Sequence, residues 1–294
     1  MNSLQLTSIF TIIDDFCKEF LPAFEKTLIE NSKVKRRNRK DCLKVSEIIT
    51  ILIWFNSSGM NCFKHFYHSF YEILKLNFPL LPSYDRFLTV QQKAFIPLIH
   101  FLKYLSSLSE ETGVYYVDST LIRVCHNKRI FNHKVFEGIA ERGYSSVGWF
   151  FGFKLHLITN NLGQVMSLQI TKGNVHDTLP LEEITKNLQG LLFGDKGYLG
   201  SELKEKLRKK GINLITRLRQ NMKKKKDYIS ETNKYLLNKR GIIETIFGNL
   251  KDYKHLVHTK YRSTTNFFMN ILSSLCSYSL NPTKPKVDLN RIVA

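Results

Sequence analysis

The chain has 294 residues, of which 43% are hydrophobic and 23% are charged, so its composition is that of a folded protein and not of a disordered tail. Its 44 Lys and Arg outnumber its 25 Asp and Glu, and the net charge of +19 indicates a polyanionic partner, with nucleic acid as the default. The five cysteines include no Cys-x-x-Cys pair and the longest apolar run, 48–55, is far too short to span a bilayer, which argues against a disulfide framework, a zinc ribbon and a membrane protein.

The first part of the chain shows the apolar spacing of helices. Apolar side chains recur every three or four residues over 45–53 and again over 63–74. A short glycine-containing turn, 56–61, separates these two segments, so a helix-turn-helix is one interpretation of this region. We interpret residues 1–110 as an all-helical N-terminal domain that binds DNA.

From Gly113 onward, short β-rich runs alternate with helical ones. The predicted order is β-β-β-α-β-α-β-α, which indicates a mixed sheet flanked by helices. The loop 160–163 is short enough to join the second and third strands as an antiparallel hairpin. We assign 111–282 to this α/β domain and 283–294 to a C-terminal tail. The predicted strands are 114–118, 151–159, 164–171, 191–194 and 212–216.

Two aspartates in the second domain end apolar strands. Asp118 ends the run 114–118, and Asp195 directly follows the run 191–194. Ligands gather at the strand ends of a covered sheet, although a single aspartate there is more often a turn former or a helix cap. Glycines on both sides of Asp195 are expected to let the backbone turn sharply and expose the carboxylate. The two aspartates together indicate a site more strongly than either one alone.

A third acid lies on the last predicted helix of this region. Helical periodicity places Glu244 on one face with Arg240 and Lys251, while isoleucines occupy much of the remaining surface. A salt-bridged surface is the ordinary explanation for such a face. The alternative is a site that Glu244 shares with Asp118 and Asp195.

Three blocks of the sequence resemble the signature of the DDE transposases of bacterial insertion sequences. They are Val-Asp118-Ser-Thr, Gly-Asp195-Lys-Gly-Tyr and Arg240-x3-Glu244-x6-Lys251. The family usually has a Tyr three residues before the Arg, and here that position is Leu237, with Tyr235 two residues away. The segment 173–177 also resembles a family block, and the whole pattern is most similar to the insertion-sequence family numbered nine-eight-two.

The resemblance, which covers about residues 112–280, implies an α/β (α+β) catalytic domain of the ribonuclease-H-like fold, with a mixed five-stranded sheet. It implies that Asp118, Asp195 and Glu244 are the catalytic residues and the metal ligands. Carboxylate oxygens are hard ligands that suit Mg²⁺ or Mn²⁺, and two such ions can activate the attacking oxygen and neutralise the leaving one. His176 and Asp177 remain either turn residues or neighbours of the site.

Basic side chains supply the expected DNA contacts. Between 204 and 226 there are eleven Lys or Arg against one acid, and a second basic run spans 33–40. The residues expected to contact DNA are Arg240, Lys251, Lys196, Arg123, Lys128, Arg129, Lys223, Lys224, Lys225 and Lys226.

The function implied by the resemblance is transposition of an insertion sequence by hydrolysis of phosphodiester bonds and strand transfer. The expected partners are the terminal inverted repeats and the target DNA, bound by a homodimer in the bacterial cytoplasm, associated with the nucleoid when on DNA and with no membrane. Two alternatives are a ribonuclease-H-like nuclease that cuts without joining and a catalytically idle DNA-binding protein. The presence of all three acids disfavours the second alternative.

Overall fold

The structure is a computed structural model that describes most of the chain, namely residues 3–30, 42–217, 229–254, 256 and 261–289. The helices are α1 (Ser3–Glu30), α2 (Val45–Ser57), α3 (Phe63–Ser69), α4 (Tyr71–Asn77), α5 (Tyr84–Val90), α6 (Phe95–Ser107), α7 (Leu181–Ile184), α8 (Ser201–Lys209), α9 (Glu231–Asn238), α10 (Gly241–Gly248) and α11 (Thr264–Ser279). The strands are β1 (Val114–Arg123), β2 (Glu141–Ser145), β3 (Gly148–Asn160), β4 (Val165–Lys172), β5 (Gly190–Gly194) and β6 (Ile212–Thr216). In this described part, no helix is both long and apolar enough to cross a membrane.

The chain divides into two units, of which the first is helical and comprises the described residues of 1–105, 252–256 and 263–280. Helix α2 lies at its centre, because this helix is apolar on all sides and has to be enclosed. Helix α11 packs against α2 through small polar side chains. The Asn56 amide donates to Ser273 Oγ at 2.9 Å, and the hydroxyls of Ser57 and Ser277 lie 2.7 Å apart.

The place of α11 differs from the domain division expected from the sequence. The sequence assigned 111–282 to one domain, whereas α11 belongs to the helical unit because its buried side chains complete the surroundings of α2. The second predicted helix of the N-terminal region is also two helices, since α3 and α4 are separated at Phe70 (φ −103°, ψ 12°). The domain boundaries and the helix-turn-helix stay predictions.

The second unit contains the sheet and comprises the described residues of 106–251, 257–262 and 281–294. Strands β2, β3, β1, β5 and β6 follow one another across the sheet, and β4 pairs with β3. Strands β1, β5 and β6 are parallel, while β1, β2 and β4 are each antiparallel to β3. The predicted mixed sheet with flanking helices and a preceding helical region is confirmed.

Within the described residues the sheet has six strands, one more than the five predicted. The additional strand is β2, whose sequence Glu-Arg-Gly-Tyr-Ser lacks the alternation of apolar and polar residues that indicates a strand. Strand β1 is also longer than predicted. It continues five residues past Asp118 to Arg123, because residues 119–123 pair with 152–156 of β3.

One face of the sheet is covered by α7, α8 and the residues that follow them. The core on this face is formed by side chains of the strands and these helices: Tyr115, Val117, Ile158, Leu181, Ile184, Leu188, Leu192, Tyr198, Leu207, Ile212 and Leu214. Each fully buried side chain of this size contributes about 1.5–3 kcal/mol through removal of apolar surface from water. Strands β1 and β5 are thereby held in fixed register, which decides where the acidic residues lie.

Candidate active site

The pairing of β1 with β5 places Asp118 beside Asp195. Val114 is paired with Leu191 and Tyr116 with Phe193, so partners in the two parallel strands are 77 positions apart. Asp195 follows Asp118 by the same 77 positions. Continuing this register for two residues beyond the paired segment brings Asp195 opposite Asp118, and the effect of the Asp195 charge on the pKa of Asp118 agrees with that proximity.

The two aspartates differ in their backbone setting. Asp118 lies in the middle of β1 and not at its end, which corrects the predicted placement. Asp195 follows the last residue of β5 as expected, and it is exposed at the start of a short 3-10 helix, Lys196–Tyr198.

The glycine before Asp195 has a packing role instead of the expected conformational one. Neither Gly194 nor Gly197 has a positive φ, so no left-handed turn occurs here. A Cβ at Gly194 would lie 3.1 Å from Cδ2 of Tyr198 and 3.2 Å from Cγ1 of Val117. Glycine allows the ring of Tyr198 to close over the strand end, and this fixes the start of the Asp195 turn.

The environment of Asp118 opposes its negative charge. The pKa of this carboxyl is raised to about 6, mainly by burial and also by the neighbouring Asp195. The backbone N–H of Ser119, which donates to Asp118 Oδ1 at 2.8 Å, and the Arg240 guanidinium act in the opposite direction. A buried carboxylate beside a second carboxylate is an environment that favours a bound cation.

Arg240 joins the first acid to the third. Its Nη1 donates to Asp118 Oδ2 at 3.0 Å and its Nη2 donates to Glu244 Oε1 at 2.6 Å. Arg240 immediately precedes α10, and Glu244 lies one helical turn later on that helix. The guanidinium therefore lies between the two carboxylates and offsets the charge of both.

The three acids are thus neighbours without forming a closed cluster. Among the described residues, no three His, Cys, Asp or Glu side chains converge closely enough to hold a metal ion. Asp118 and Asp195 adjoin through the sheet, whereas Glu244 reaches Asp118 only through Arg240. The Glu244 side chain is 60% exposed, so it has room to change its rotamer.

The comparison with known families agrees with this arrangement. A family model described as "Transposase DDE domain" matches residues 108–264, slightly more than half of the chain, and the match includes Asp118, Asp195 and Glu244. The chain belongs to the DDE transposases. It is a DNA transposase, and a member of a family of metal-dependent enzymes that cleave DNA.

A solved structure shares the fold of this DDE transposase. The cryo-EM structure of the piggyBac transposase synaptic complex with hairpin DNA matches with a TM-score of 0.51 and 12% sequence identity, over 94% of this chain and 73% of that chain. At this level of identity the likeness shows a common fold. No curated protein matches the sequence.

Two polar side chains of β3, Lys154 and His156, are buried on the face of the sheet opposite to Asp118, because His156 is paired with Ser119 and Leu157 with Asp118. Lys154 Nζ donates to Asp177 Oδ1 at 3.0 Å and to the Val175 carbonyl at 2.9 Å, which holds the segment 173–177 against β3. His156 lies within 2.8 Å of Thr171 Oγ1, and burial lowers its pKa to about 4. The signal in the sequence was the alternation of Lys154 and His156 within an otherwise apolar strand.

Tyr198 connects this polar group to the acids. Its hydroxyl is buried, and burial together with the nearby carboxylates of Asp118, Asp177 and Asp195 raises the pKa of Tyr198, so the phenol stays protonated at neutral pH. Asp177 is therefore more than a turn residue, because it pairs with Lys154 and faces Tyr198. The sequence indicated Tyr198 only as part of the Gly-Asp-Lys-Gly-Tyr block.

The basic residues expected to contact DNA are placed in different settings. Arg123, Lys128, Arg129 and Lys196 are exposed side chains of the sheet-containing unit. Arg240 is engaged with Asp118 and Glu244. Lys223, Lys224, Lys225 and Lys226 lie outside the described residues, as does the run 33–40.

Lys251 does not continue the α-helix of Glu244 as the periodicity predicted. Helix α10 ends at Gly248, and a π-helical turn, Asn249–Tyr253, follows it with Leu250 fully buried. A π turn has more residues per turn than an α-helix, so the face calculated from a 3.6-residue period does not extend to Lys251. Such turns interrupt helices frequently at functional sites.

The carboxylate oxygens of the site are ligands that suit a hard divalent cation. Because Arg240 contacts two of these carboxylates, its replacement tests whether they bind such a cation. Replacing Arg240 with Gln leaves Asp118 and Glu244 without the guanidinium that offsets their charge. Hydrogen bonds between charged groups contribute about 1.5–3 kcal/mol, so we expect the DNA-free variant to bind Mn²⁺ roughly ten times more tightly or better. Titration calorimetry measures the affinity, and Arg123→Gln is the control. Unchanged or weaker Mn²⁺ binding by the Arg240→Gln variant contradicts the expectation.

Proposed function

We propose that Asp118, Asp195 and Glu244 are the catalytic residues of this transposase and the ligands of two Mg²⁺ or Mn²⁺ ions. The observation that carries the proposal is the parallel register of β1 and β5, which aligns Asp118 with Asp195, together with the Arg240 bridge from Asp118 to Glu244. Carboxylates are the ligands that these cations prefer. When bound, a pair of such ions would supply activation of the attacking oxygen and neutralisation of the leaving oxygen at phosphorus.

Each side chain near the site has a distinct role in this proposal. Asp118, fixed by β1 and the Ser119 amide, is the rigid ligand, while the exposed Glu244 completes the site by a change of rotamer. Arg240 would exchange the two acids for a DNA phosphate, which would leave Asp118 and Glu244 free to hold the cations. Lys154, whose side chain is 11% exposed, pairs with the half-buried Asp177 and holds this carboxylate where its charge acts on Tyr198.

DNA is the proposed partner at both stages of the reaction, as transposon terminal inverted repeats and as target. The net charge of +19 supports this, and the structurally similar piggyBac transposase was determined in a synaptic complex with hairpin DNA. Exposed Arg123, Lys128, Arg129 and Lys196 are proposed phosphate contacts, together with Lys251 and the lysines 223–226. We further propose a homodimer in the active complex.

The finer assignments rest on the sequence blocks described above. We propose that the element mobilised is a bacterial insertion sequence of the family numbered nine-eight-two, with the enzyme acting in the cytoplasm on nucleoid DNA. We propose that residues 1–110 contribute DNA binding and that 111–282 carry the catalytic domain, with 283–294 as a tail.

The test is a strand-transfer assay. Purified protein is incubated with pre-cut transposon ends and a target plasmid in Mg²⁺, and we expect covalently joined product that disappears on addition of EDTA. Cleavage of uncut ends without joining of pre-cut ends indicates a nuclease of the same fold. Binding of ends with neither cleavage nor joining indicates a catalytically idle protein.

A further inference from the structure

An exposed pair of aromatic rings lies on the hairpin formed by β2 and the start of β3. Tyr144 and Trp149 are paired directly across the two strands, and their ring centroids lie 5.3 Å apart. Tyr144 is 66% exposed and Trp149 is 54% exposed. We name the outer face of residues 141–152 the aromatic hairpin.

The outer rings are not the only groups that hold this hairpin in place. Its inner face is anchored by Phe150, which is fully buried, and by the contact of Gly143 with the backbone of Gly173, where a Cβ would lie only 2.1 Å from the carbonyl oxygen. Large apolar groups that are exposed together on a folded protein mark surfaces of interaction. The outer rings therefore need an explanation other than folding.

The charge around the rings indicates a polyanion as the partner. Between 123 and 149 there are five Lys or Arg against two acids, and the basic ones are all exposed. The Arg142 guanidinium lies over the Trp149 ring at 5.3 Å from its centroid. The Asn127 amide donates to the Trp149 carbonyl at 2.7 Å, which ties the segment carrying Lys128 to the ring pair.

The aromatic hairpin lies on the same face of the sheet as Asp118. Residues paired across two strands have their side chains on one face, and every second residue along a strand returns to it. Asp118 is paired with Leu157, and the odd-numbered residues of β3 lead from Leu157 back to Trp149. Eight residues along a strand span about 26 Å, which is the length of about eight nucleotides of duplex.

We propose that Tyr144 and Trp149 form a stacking site for unpaired bases of the DNA on which the enzyme acts, with Arg142 and the adjacent basic residues holding its phosphates. The proposal rests on the proposed function, because it assumes that DNA extends from Asp118 along this face. Aromatic rings beside basic side chains bind single strands, since an unpaired base has a free face to stack while a base within duplex does not. The site takes single-stranded DNA about 26 Å along this face from Asp118.

The chain offers an intrinsic reporter for this site. It has two tryptophans, of which Trp54 is 6% exposed and Trp149 is 54% exposed. In a Trp54→Phe variant, Trp149 is the sole tryptophan, and stacking of a base on it quenches its fluorescence. We expect oligothymidine to quench this emission strongly and a fully paired duplex of equal length to quench it weakly.

Binding is measured in parallel by fluorescence polarisation of the labelled oligonucleotides. Loss of a stacked aromatic costs about 1–3 kcal/mol per base, so Trp149→Ala is expected to weaken binding of the single strand roughly fivefold to a hundredfold. Trp149→Phe, which keeps a stacking ring, is expected to restore most of the affinity. Val147→Ala, at the exposed tip of the same hairpin, is the matched control and is expected to bind as the parent does.

The outcomes separate this proposal from the function on which it rests. Binding of the single strand without quenching of Trp149, or equal quenching by duplex, overturns the stacking site while leaving DNA binding intact. Emission that changes with protein concentration in the absence of DNA also overturns it and assigns the face to contacts between copies of the chain. Absence of binding to any DNA overturns both proposals.

Discussion

Replacing Asp195 with Asn is expected to lower the rate of DNA end cleavage in Mg²⁺ by a factor of about 10³ or more. Divalent ions supply several kcal/mol of stabilisation to the transition state of phosphoryl transfer, and each 1.36 kcal/mol corresponds to a factor of ten in rate. Asp195 is exposed directly after β5, so the isosteric amide removes the charge of a proposed metal ligand without disturbing the core. A gel assay of labelled ends measures the rate under single-turnover conditions.

The same fall in the rate of DNA end cleavage is expected for Asp118→Asn and for Glu244→Gln, so the three substitutions are tested together. Glu183→Gln, an exposed acid on α7, is the matched control and is expected to cut at the parental rate. Binding of the DNA ends should persist in all three variants, because phosphate contacts and not the acids supply the affinity. Cleavage near the parental rate in any one variant removes that residue from the proposed catalytic set.

Asp118→Asn is expected to make the metal-free protein more stable at neutral pH. The folded-state pKa of Asp118 is raised from 3.8 to about 6, so the carboxyl is bound to a proton more readily in the folded than in the unfolded chain. The free energy of unfolding is therefore highest below about pH 4, where Asp118 is protonated in both states, and it falls as the pH rises through about 6. At pH 7 the ionisation of Asp118 lowers the free energy of unfolding by about 3 kcal/mol. A neutral amide at this position avoids that loss, so Asp118→Asn is expected to raise the free energy of unfolding by about the same amount.

Urea denaturation at a series of pH values measures this difference. The gain from Asp118→Asn should be largest at pH 7 and vanish near pH 4, and Mg²⁺ should stabilise the parent more than the variant. Asp14→Asn provides a control of opposite sign, because the hydrogen bond from Lys18 lowers the pKa of Asp14 and its removal should destabilise the protein at pH 7. Equal stability of parent and Asp118→Asn at pH 7 contradicts the expectation.

The positions of the two aspartates could be predicted from the sequence because an apolar strand precedes each of them. Short runs of β-branched and aromatic residues identify β1 and β5, and the residue that follows such a run lies near a strand end. The continuation of β1 past Asp118 could not be predicted, because Ser119 and Thr120 belong to the strand only through their pairing with β3, which is a tertiary contact. Strand β2 could not be predicted either, because its sequence lacks an alternation of apolar and polar residues and only its pairing with β3 makes it a strand.

Only some of the ion pairs in the site could be predicted from the sequence. Helical spacing placed Arg240 beside Glu244, and the structure has this ion pair. That the same guanidinium also binds Asp118 depends on the packing of α10 against β1, which sequence spacing does not determine. The partnership of Lys154 with Asp177 is similar, because 23 residues and a strand separate the two side chains.

The position of Arg240 has a consequence for the order in which the components assemble. A phosphodiester that approaches several bare carboxylates meets repulsion between like charges, and a cation would then have to arrive before the nucleic acid. Here the guanidinium already screens Asp118 and Glu244 with bonds of 3.0 and 2.6 Å. On the proposed function, DNA would bind before the ions, and its phosphate oxygens would draw Arg240 away and open the acids to the incoming metal.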